Sequence, residues 1–513
     1  MSVVKKTAVQ TAVWMLILNL GCKALGFIRE MAMAAFYGAG YIVDSFVMAQ
    51  SIPNILLGGV LVAISTAYMP LFSKEVENNG EEAGNHYTSQ VIFLLVGLSF
   101  VTAVLGAIFA EPLVNIMAAG FNQQASNLTA FYLRVTFGYT VFSSIVGIYA
   151  GYLQYKGGFL LQIVGDYLQN ASVILMIIVS AYTDDRLLAF GLFLGYGTRC
   201  FLLGMLARKR GFRFKFRFIG MADNVKRICA LSIPVFLGTT MHEINTFVDR
   251  TLASGLGSGS ISALNYAHQI NTIVISLSIT ILTTIIYPKL VQLGAGEDKR
   301  AFNETIQRGF SLVIMIAVPV TIGSVLYGES IIRTIYERGQ FNTEATSITA
   351  WAYCFYALGI LFLSINDYMT KVYYSLHDMK SPMICAGLGL GANIVLNCIL
   401  VYPMRQNGLA LATSLAALIT TVLQVVIFKR KHKRLPLINS KSKIVAIAIA
   451  SIVSIFISYG VFYLLRQVCR VYEIISLASA VGLALLIYFV MLKMFKVSEV
   501  NYIMRSLLRR TNK

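Results

Sequence analysis

This sequence has few charged residues. Only 13% of its 513 residues are charged and 57% are hydrophobic, whereas a soluble domain carries roughly 25% charged residues. Its longest polar stretches, 73–90, 208–227 and 428–444, are too short for a domain, which usually needs about 50 residues or more. The composition therefore indicates an integral membrane protein and excludes an attached soluble catalytic domain.

Motifs for common enzymatic chemistry are also missing. There is no G-x-x-x-x-G-K-[ST] sequence, which excludes nucleotide hydrolysis by a phosphate-binding loop. Seven scattered cysteines without a C-x-x-C pair argue against disulfides and thiolate metal sites. Because no nucleophile–base set or metal cluster is found either, we predict that the chain is not an enzyme and needs no cofactor.

The charges that are present are unevenly placed. The net charge is +19, and basic clusters at 208–210 and 429–434 lie between apolar stretches. This is the pattern of a membrane protein whose basic loops face the cytoplasm, with anionic lipid headgroups as partners and not nucleic acid. If both termini are cytoplasmic, most lysines and arginines lie in segments on the cytoplasmic side of the membrane. The opposite orientation would place most of them on the outer side.

Apolar runs are long enough to cross a bilayer about fourteen times. A membrane-spanning helix needs about 20 apolar residues, and the runs are too long for barrel strands. We predict an all-α polytopic membrane protein with these spans: 8–36, 41–71, 88–110, 126–154, 159–181, 187–207, 228–254, 260–291, 306–327, 343–374, 382–402, 407–428, 443–465 and 472–495.

The chain also repeats itself. SerThrAlaTyrMetPro at 65–70 recurs as ThrThrIleIleTyrPro at 283–288, and Glu111 and Glu329 recur at the same spacing before loops that end in PheAsn. Each repeat holds six spans, so both copies enter the membrane from the same side. The pattern predicts two parallel six-helix lobes around a central cavity, plus two C-terminal helices.

The predicted limits of these parts follow from the spans. The N-terminal lobe covers 1–210 and the C-terminal lobe covers 225–430. Residues 440–513 form helices 13 and 14 and a basic tail.

Charged residues inside the first span point to transport. A charge at the membrane centre costs about 2.5–3.5 kcal/mol, so Lys23, Arg29 and Glu30 are expected to face a wet cavity and to bind what passes through it. Asp44, at the start of span 2, and His268, in span 8, are further candidates. The alternative for such residues is an interhelical ion pair or a polar end at the interface.

A second polar set offers oxygen ligands. Asn393 and Asn397 lie four residues apart on one face of span 11, Thr413 is in span 12 and Asp249 is in span 7. Carboxylate, amide and hydroxyl oxygens suit a hard monovalent cation such as Na⁺, although asparagine pairs also hydrogen-bond helices to each other.

Several motifs are similar to those of one known family. They are LeuGlyPheIleArgGlu (25–30), Asp44-Ser-Phe, Ile52-Pro-Asn, TyrGluArgGlyGlnPheAsn (336–342) and TyrTyrSerLeuHisAspMetLysSerPro (373–382). In this order they resemble the MurJ (MviN) family of lipid II flippases, within the multidrug/oligosaccharidyl-lipid/polysaccharide exporter superfamily.

The resemblance implies a function and a cellular location. Members of the family move an undecaprenyl-pyrophosphate-linked peptidoglycan precursor from the inner to the outer leaflet of the bacterial cytoplasmic membrane by alternating access. Its implied partners are this lipid, the surrounding membrane lipids and cell-wall synthesis proteins.

The resemblance also carries over to single residues. Lys23 stands where the family commonly has arginine, Arg29 and Asp44 match directly, and Glu30 stands at an acidic position. A sodium site would comprise Asp249, Asn393, Asn397 and Thr413, with Asn397 in place of a carboxylate.

The chain departs from the family pattern at two cationic positions. Leu57 and His268 stand where the family has arginine, and both arginines are among the groups that hold the pyrophosphate. The alternatives are a flippase for another polyprenyl-linked oligosaccharide, a cation-coupled drug exporter of the same superfamily and a non-transporting scaffold. Lys23 and Arg29 favour an anionic substrate over a cationic drug.

Overall fold

The chain folds almost entirely into α-helices. The computed structural model describes residues 2–215, 221–294, 298–432, 441–469, 472–497 and 499–500, and these contain no β-strand. The prediction of an all-α polytopic membrane protein is therefore confirmed. Linker positions 216–220 and 433–440 and the predicted basic tail at 501–513 lie outside the described residues.

Eighteen α-helices are assigned in the described residues. They are α1 (Ser2–Tyr37), α2 (Tyr41–Pro53), α3 (Gly59–Ile108), α4 (Ala110–Met117), α5 (Gln123–Tyr155), α6 (Phe159–Tyr182), α7 (Phe190–Lys209), α8 (Met221–Ser254), α9 (Ser260–Ile285), α10 (Tyr287–Gly294), α11 (Lys299–Leu326), α12 (Gly328–Tyr336), α13 (Thr343–Ala357), α14 (Ile360–Ser375), α15 (Lys380–Met404), α16 (Gln406–His432), α17 (Lys441–Tyr463) and α18 (Glu473–Met494).

Each of the fourteen predicted spans coincides with one of these helices, with part of one or with a consecutive pair. Within the described residues, nine helical stretches are long and apolar enough to cross a membrane, and a bent pair makes a tenth. One stretch, Tyr41–Ile108, has 68 residues, which is enough for both predicted spans 2 and 3. Helices α1, α8 and α9 cover predicted spans 1, 7 and 8 but are not among the nine.

Predicted span 10 is broken instead of straight. Helices α13 and α14 meet at an angle of 43°. The hydroxyl of Ser414 on α16 donates a hydrogen bond of 2.6 Å to the carbonyl oxygen of Phe355, just before the break. A side chain that satisfies a backbone carbonyl in this way removes the cost of interrupting the helix in lipid.

The repeated sequence motifs adopt the same local structure. Glu111 lies in the first turn of α4, and Glu329 lies in the first turn of α12. Both are short helices that follow a long one and precede the loop that ends in PheAsn. At the end of the first loop, Asn122 caps α5 by accepting a 2.9 Å hydrogen bond from the backbone N–H of Ala125.

Contacts within the chain divide it into two units. The first comprises Met1–Ser262 and Arg338–Asn342, and the second comprises Ala263–Glu337 and Thr343–Lys513. Helix α8 belongs to the first unit because it packs on α2 and α3, where Arg250 donates a hydrogen bond to the hydroxyl of Ser51. The repeat-based limits at 1–210, 225–430 and 440–513, and the central cavity, stay predictions.

The first unit has an aromatic core. Tyr68 stacks on Phe72 and Tyr87 with ring centroids 5.4 and 5.9 Å apart. Leu57 joins the same cluster and is 2% exposed. The position at which the family pattern has arginine is therefore packed as apolar core in this chain.

Candidate substrate-binding site

Arg29 is the best-positioned cation of the predicted substrate site. Its Nη2 donates a 2.7 Å hydrogen bond to Oε1 of Glu30, and its Nη1 donates a 3.2 Å bond to Oδ1 of Asn170 on α6. The side chain of Arg29 is 28% exposed, and that of Glu30 is 13% exposed. Arg29 is thus held from two sides without being sealed off from a ligand.

Small residues allow α6 to approach α1 closely. A Cβ atom at Gly21 would lie 2.1 Å from the hydroxyl oxygen of Tyr167 on α6. That hydroxyl donates a 2.9 Å hydrogen bond to the carbonyl oxygen of Leu18. A larger residue at Gly21 would collide with the Tyr167 hydroxyl and displace it from the carbonyl oxygen of Leu18.

An ion pair connects α6 to α7 beside this contact. Nη1 of Arg199 lies 2.6 Å from Oδ1 of Asp166, and it also donates a 2.8 Å hydrogen bond to Oε1 of Gln169. The side chain of Arg199 is 17% exposed, and that of Asp166 is 33% exposed. We did not single out this pair from the sequence, although opposite charges in the adjacent predicted spans 5 and 6 are a signal for it.

Lys23 lies on α1 and is exposed. It has no ion pair or hydrogen bond with any residue in the described part of the chain, in contrast to Arg29. Its ammonium group is therefore available to an anion, and its predicted role in substrate binding stays a prediction.

Asp44 caps a helix. Its carboxylate accepts hydrogen bonds of 2.6 and 2.7 Å from the backbone N–H groups of Gly259 and Ser262, at the start of α9. The residue is 1% exposed. A carboxylate at a helix N-terminus satisfies unpaired N–H groups and complements the helix dipole. These contacts are structural, and direct binding of substrate by Asp44 stays a prediction.

The end of the first unit near Asp44 is tied by backbone contacts as well. The N–H of Gln340 donates a 2.8 Å hydrogen bond to the carbonyl oxygen of Ala35. Gly339 has a φ of +59°, and a Cβ atom there would lie 2.2 Å from the same carbonyl oxygen. Only glycine combines this backbone conformation with so close an approach.

Comparison with known proteins identifies the family. The family model described as lipid II flippase MurJ matches residues 33–482 of this chain. The chain belongs to the MurJ family. It is 28% identical over 427 residues to the probable lipid II flippase MurJ of Rhizobium tropici, covering 81% of this chain and 80% of that protein.

Solved structures show the same fold. The structure of a lipid II flippase MurJ in an inward closed conformation has a TM-score of 0.80 at 23% identity, covering 94% of this chain and 98% of the other. An inward-facing multidrug resistance MATE family transporter of the MOP superfamily has a TM-score of 0.66 at 11% identity, covering 81% and 98%. The chain therefore has the fold shared by MurJ and MATE transporters.

His268, at the second position where the MurJ pattern has arginine, lies in the second unit. It is exposed, and its ring meets that of Tyr356 edge-on with centroids 5.7 Å apart. Its predicted contact with substrate stays a prediction.

The predicted sodium ligands are divided between the units. In the second unit, Nδ2 of Asn397 donates a 2.7 Å hydrogen bond to Oδ1 of Asn393, whose Nδ2 donates a 3.4 Å bond to Oγ1 of Thr413. The second bond connects α15 to α16, and the first lies within α15. Asp249 belongs to the first unit and is 9% exposed. The amide and hydroxyl groups would suit Na⁺ in chemistry, and the sodium site stays a prediction.

Proposed function

We propose that this chain is a flippase that moves lipid II from the inner to the outer leaflet of a bacterial cytoplasmic membrane. The proposal rests on one observation. The guanidinium of Arg29 is partly exposed on a predicted membrane span, in a chain that belongs to the MurJ family. The family is one of flippases and not of enzymes. In this proposal both termini are cytoplasmic, as the basic loops require.

The chemistry of Arg29 suits a diphosphate. A guanidinium has five N–H donors in a fixed plane and binds phosphate oxygens in pairs. The hydrogen bonds to Glu30 and Asn170 use one donor on each terminal nitrogen, which leaves donors for a ligand. Lys23 adds a second positive charge on α1, and the polyprenyl chain can stay in the lipid.

Glu30 keeps Arg29 in place when no substrate is bound. The adjacent carboxylate compensates the charge of Arg29 in a medium where an isolated charge is costly. A pyrophosphate group, with one negative charge on each phosphate, can displace Glu30 from part of the guanidinium, because it offers more acceptor oxygens. Arg29 therefore binds anionic substrate without being a buried unpaired charge in the empty protein.

Alternating access requires one end of the first unit to open. Two contacts at the end near Asp44 are the Asp44 cap on α9 and the bond between Gln340 and Ala35. Opening must break them, and each leaves polar backbone groups that water can satisfy. Coupling to Na⁺ through Asp249, Asn393, Asn397 and Thr413, and contact with cell-wall synthesis proteins, are part of the same proposal.

The test is rescue of a bacterium whose own lipid II flippase has been depleted. The wild-type chain is expected to restore growth and externally accessible lipid II. Arg29→Ala should abolish both while the protein remains folded in the membrane. Arg134→Ala is the matched control, because Arg134 forms an exposed 2.7 Å ion pair with Glu111 and should retain function.

Three results would contradict the proposal or part of it. Full rescue by Arg29→Ala would remove Arg29 from the substrate site. Failure of the wild-type chain to rescue, with the protein present in the membrane, would favour another polyprenyl-linked oligosaccharide as substrate. Energy-dependent efflux of a cationic dye would favour the drug exporter.

A further inference from the structure

Asn170 connects the candidate substrate residue Arg29 to the neighbouring helix. Its Oδ1 accepts the 3.2 Å hydrogen bond from Nη1 of Arg29. Its Nδ2 donates a 3.0 Å bond to the carbonyl oxygen of Asp166, one turn earlier on α6, and lies 3.9 Å from Sγ of Cys22 on α1. One amide group thus bridges α6 and α1.

These bonds allow only one orientation of the amide. If the amide were flipped, Nδ2 would face the guanidinium, donor against donor, and Oδ1 would face the carbonyl oxygen of Asp166, acceptor against acceptor. The hydrogen-bond network therefore assigns the amide orientation. Oδ1 of Asn170 is a fixed acceptor directed at Arg29.

The helix that carries Asn170 is itself anchored. Asp166 and Gln169, on the same stretch of α6, both bind the guanidinium of Arg199 on α7. In a low-dielectric surrounding, a carboxylate–guanidinium pair with an added hydrogen bond is strong and directional. The position of Asn170 is thus set by α7 as well as by α6.

We propose that Asn170 is a positioning residue that orients the guanidinium of Arg29 for binding the pyrophosphate of the lipid substrate. The inference rests on the proposed function and adds a residue that touches no substrate atom itself. Asn170 holds one edge of the guanidinium and Glu30 holds another, so the remaining donors face a fixed direction. Pre-orientation lowers the entropy cost of binding.

The test is a double-mutant cycle on affinity for lipid II. Purified full-length protein in detergent is titrated with lipid II, and Kd is measured for the wild type, Asn170→Ala, Arg29→Ala and the double variant. We expect Asn170→Ala to raise Kd about fivefold in the wild-type background. In the Arg29→Ala background it should raise Kd no further, because the residue on which it acts is absent.

Two further variants separate positioning from packing. Gln169→Ala, at the adjacent position of α6, removes one bond to Arg199 but none to Arg29 and leaves the ion pair between Asp166 and Arg199 in place, so it should raise Kd clearly less than Asn170→Ala does. Asn170→Asp keeps the shape of the side chain and adds a carboxylate that competes with pyrophosphate for Arg29. It should therefore raise Kd more than Asn170→Ala, with a thermal unfolding midpoint close to that of the wild type.

The inference is overturned if Asn170→Ala raises Kd by the same factor in both backgrounds, or leaves it unchanged in the wild type. An equal effect of Gln169→Ala would likewise indicate general packing. If the wild-type chain does not bind lipid II at all, the proposed function fails, and this inference fails with it.

Discussion

Two hairpins, one in each unit, fasten their helices by different chemistry. In the first unit, α6 is joined to α7 by the ion pair between Asp166 and Arg199. In the second, the hydrogen bond that crosses from Asn393 on α15 to Thr413 on α16 is between neutral groups, and Asn397 bonds to Asn393 from within α15. The neutral hairpin depends on short-range hydrogen bonds, whereas the charged one depends on both ions being present.

The difference indicates which of the two hairpins tolerates substitution better. Losing one partner of a poorly solvated ion pair leaves an uncompensated charge, which costs several times more than losing a neutral hydrogen bond. The costly pair lies on the helix that carries Asn170, beside Arg29. A substitution that breaks this pair is therefore expected to disturb the helix on which the proposed substrate site depends.

The largest expected effect comes from breaking the charged hairpin. Arg199→Met should lower the stability of the protein by about 3 kcal/mol, because the carboxylate of Asp166 loses its counter-ion. The thermal unfolding midpoint of the purified protein in detergent measures this.

The control for this variant removes both charges. In the double variant Asp166→Asn with Arg199→Met no uncompensated charge remains, so most of the lost stability should return. Equal unfolding midpoints for the single and double variants would show that the ion pair is not what makes this hairpin sensitive.

A smaller effect is expected in the neutral hairpin. Asn393→Ala removes the 3.4 Å hydrogen bond to Thr413 on α16, and such bonds between membrane helices are worth about 0.6 kcal/mol on average and up to about 1.7. The unfolding midpoint should therefore fall by clearly less than in Arg199→Met. A larger fall would reverse the ranking of the two hairpins.

The smallest effect is expected for an ion pair whose lysine is half exposed and whose carboxylate has a second hydrogen-bond partner. Asp378, between α14 and α15, is paired with Lys431 at 2.6 Å, and the lysine side chain is 52% exposed. Burial raises the pKa of Asp378, but hydrogen bonds from Lys431 and Ser381 outweigh burial and lower it to about 2. Lys431→Ala should cost at most about 1 kcal/mol at neutral pH.

The pH dependence of this pair has a definite sign. The folded-state pKa lies below the unfolded value of about 3.9, so the pair stabilises the protein above pH 4 and this contribution is lost as the pH falls toward 2. Unfolding midpoints measured from pH 6 to pH 2 should therefore converge for the wild type and Lys431→Ala. A difference that grows at low pH would contradict the assignment.

The fold could largely be predicted, because the length of each apolar run can be read directly from the sequence. The break between α13 and α14 could not, because it depends on the hydroxyl of Ser414, which reaches Phe355 only after the chain has folded. The assignment of α8 to the first unit likewise depends on contacts such as that of Arg250 with Ser51, which no local pattern reveals.

The candidate site could be predicted in part. Arg29 stands out because a charge in an apolar span needs a reason. Asn170 does not, since a neutral amide in a span is common, and its importance appears only from its bond to Arg29. Asp44 is predicted at the substrate from the sequence, and this stays a prediction; its cap on α9 could not be predicted, because Gly259 and Ser262 are remote from it in sequence.

The first unit is not a continuous piece of chain. Its last segment, Arg338–Asn342, follows the first part of the second unit in the sequence, and Gln340 bonds to Ala35 at the end of the first helix. A domain folding during synthesis can use only residues that have already left the ribosome. The first unit is therefore still incomplete when Ser262 has been made, and it reaches its final contacts only after much of its partner has been synthesised.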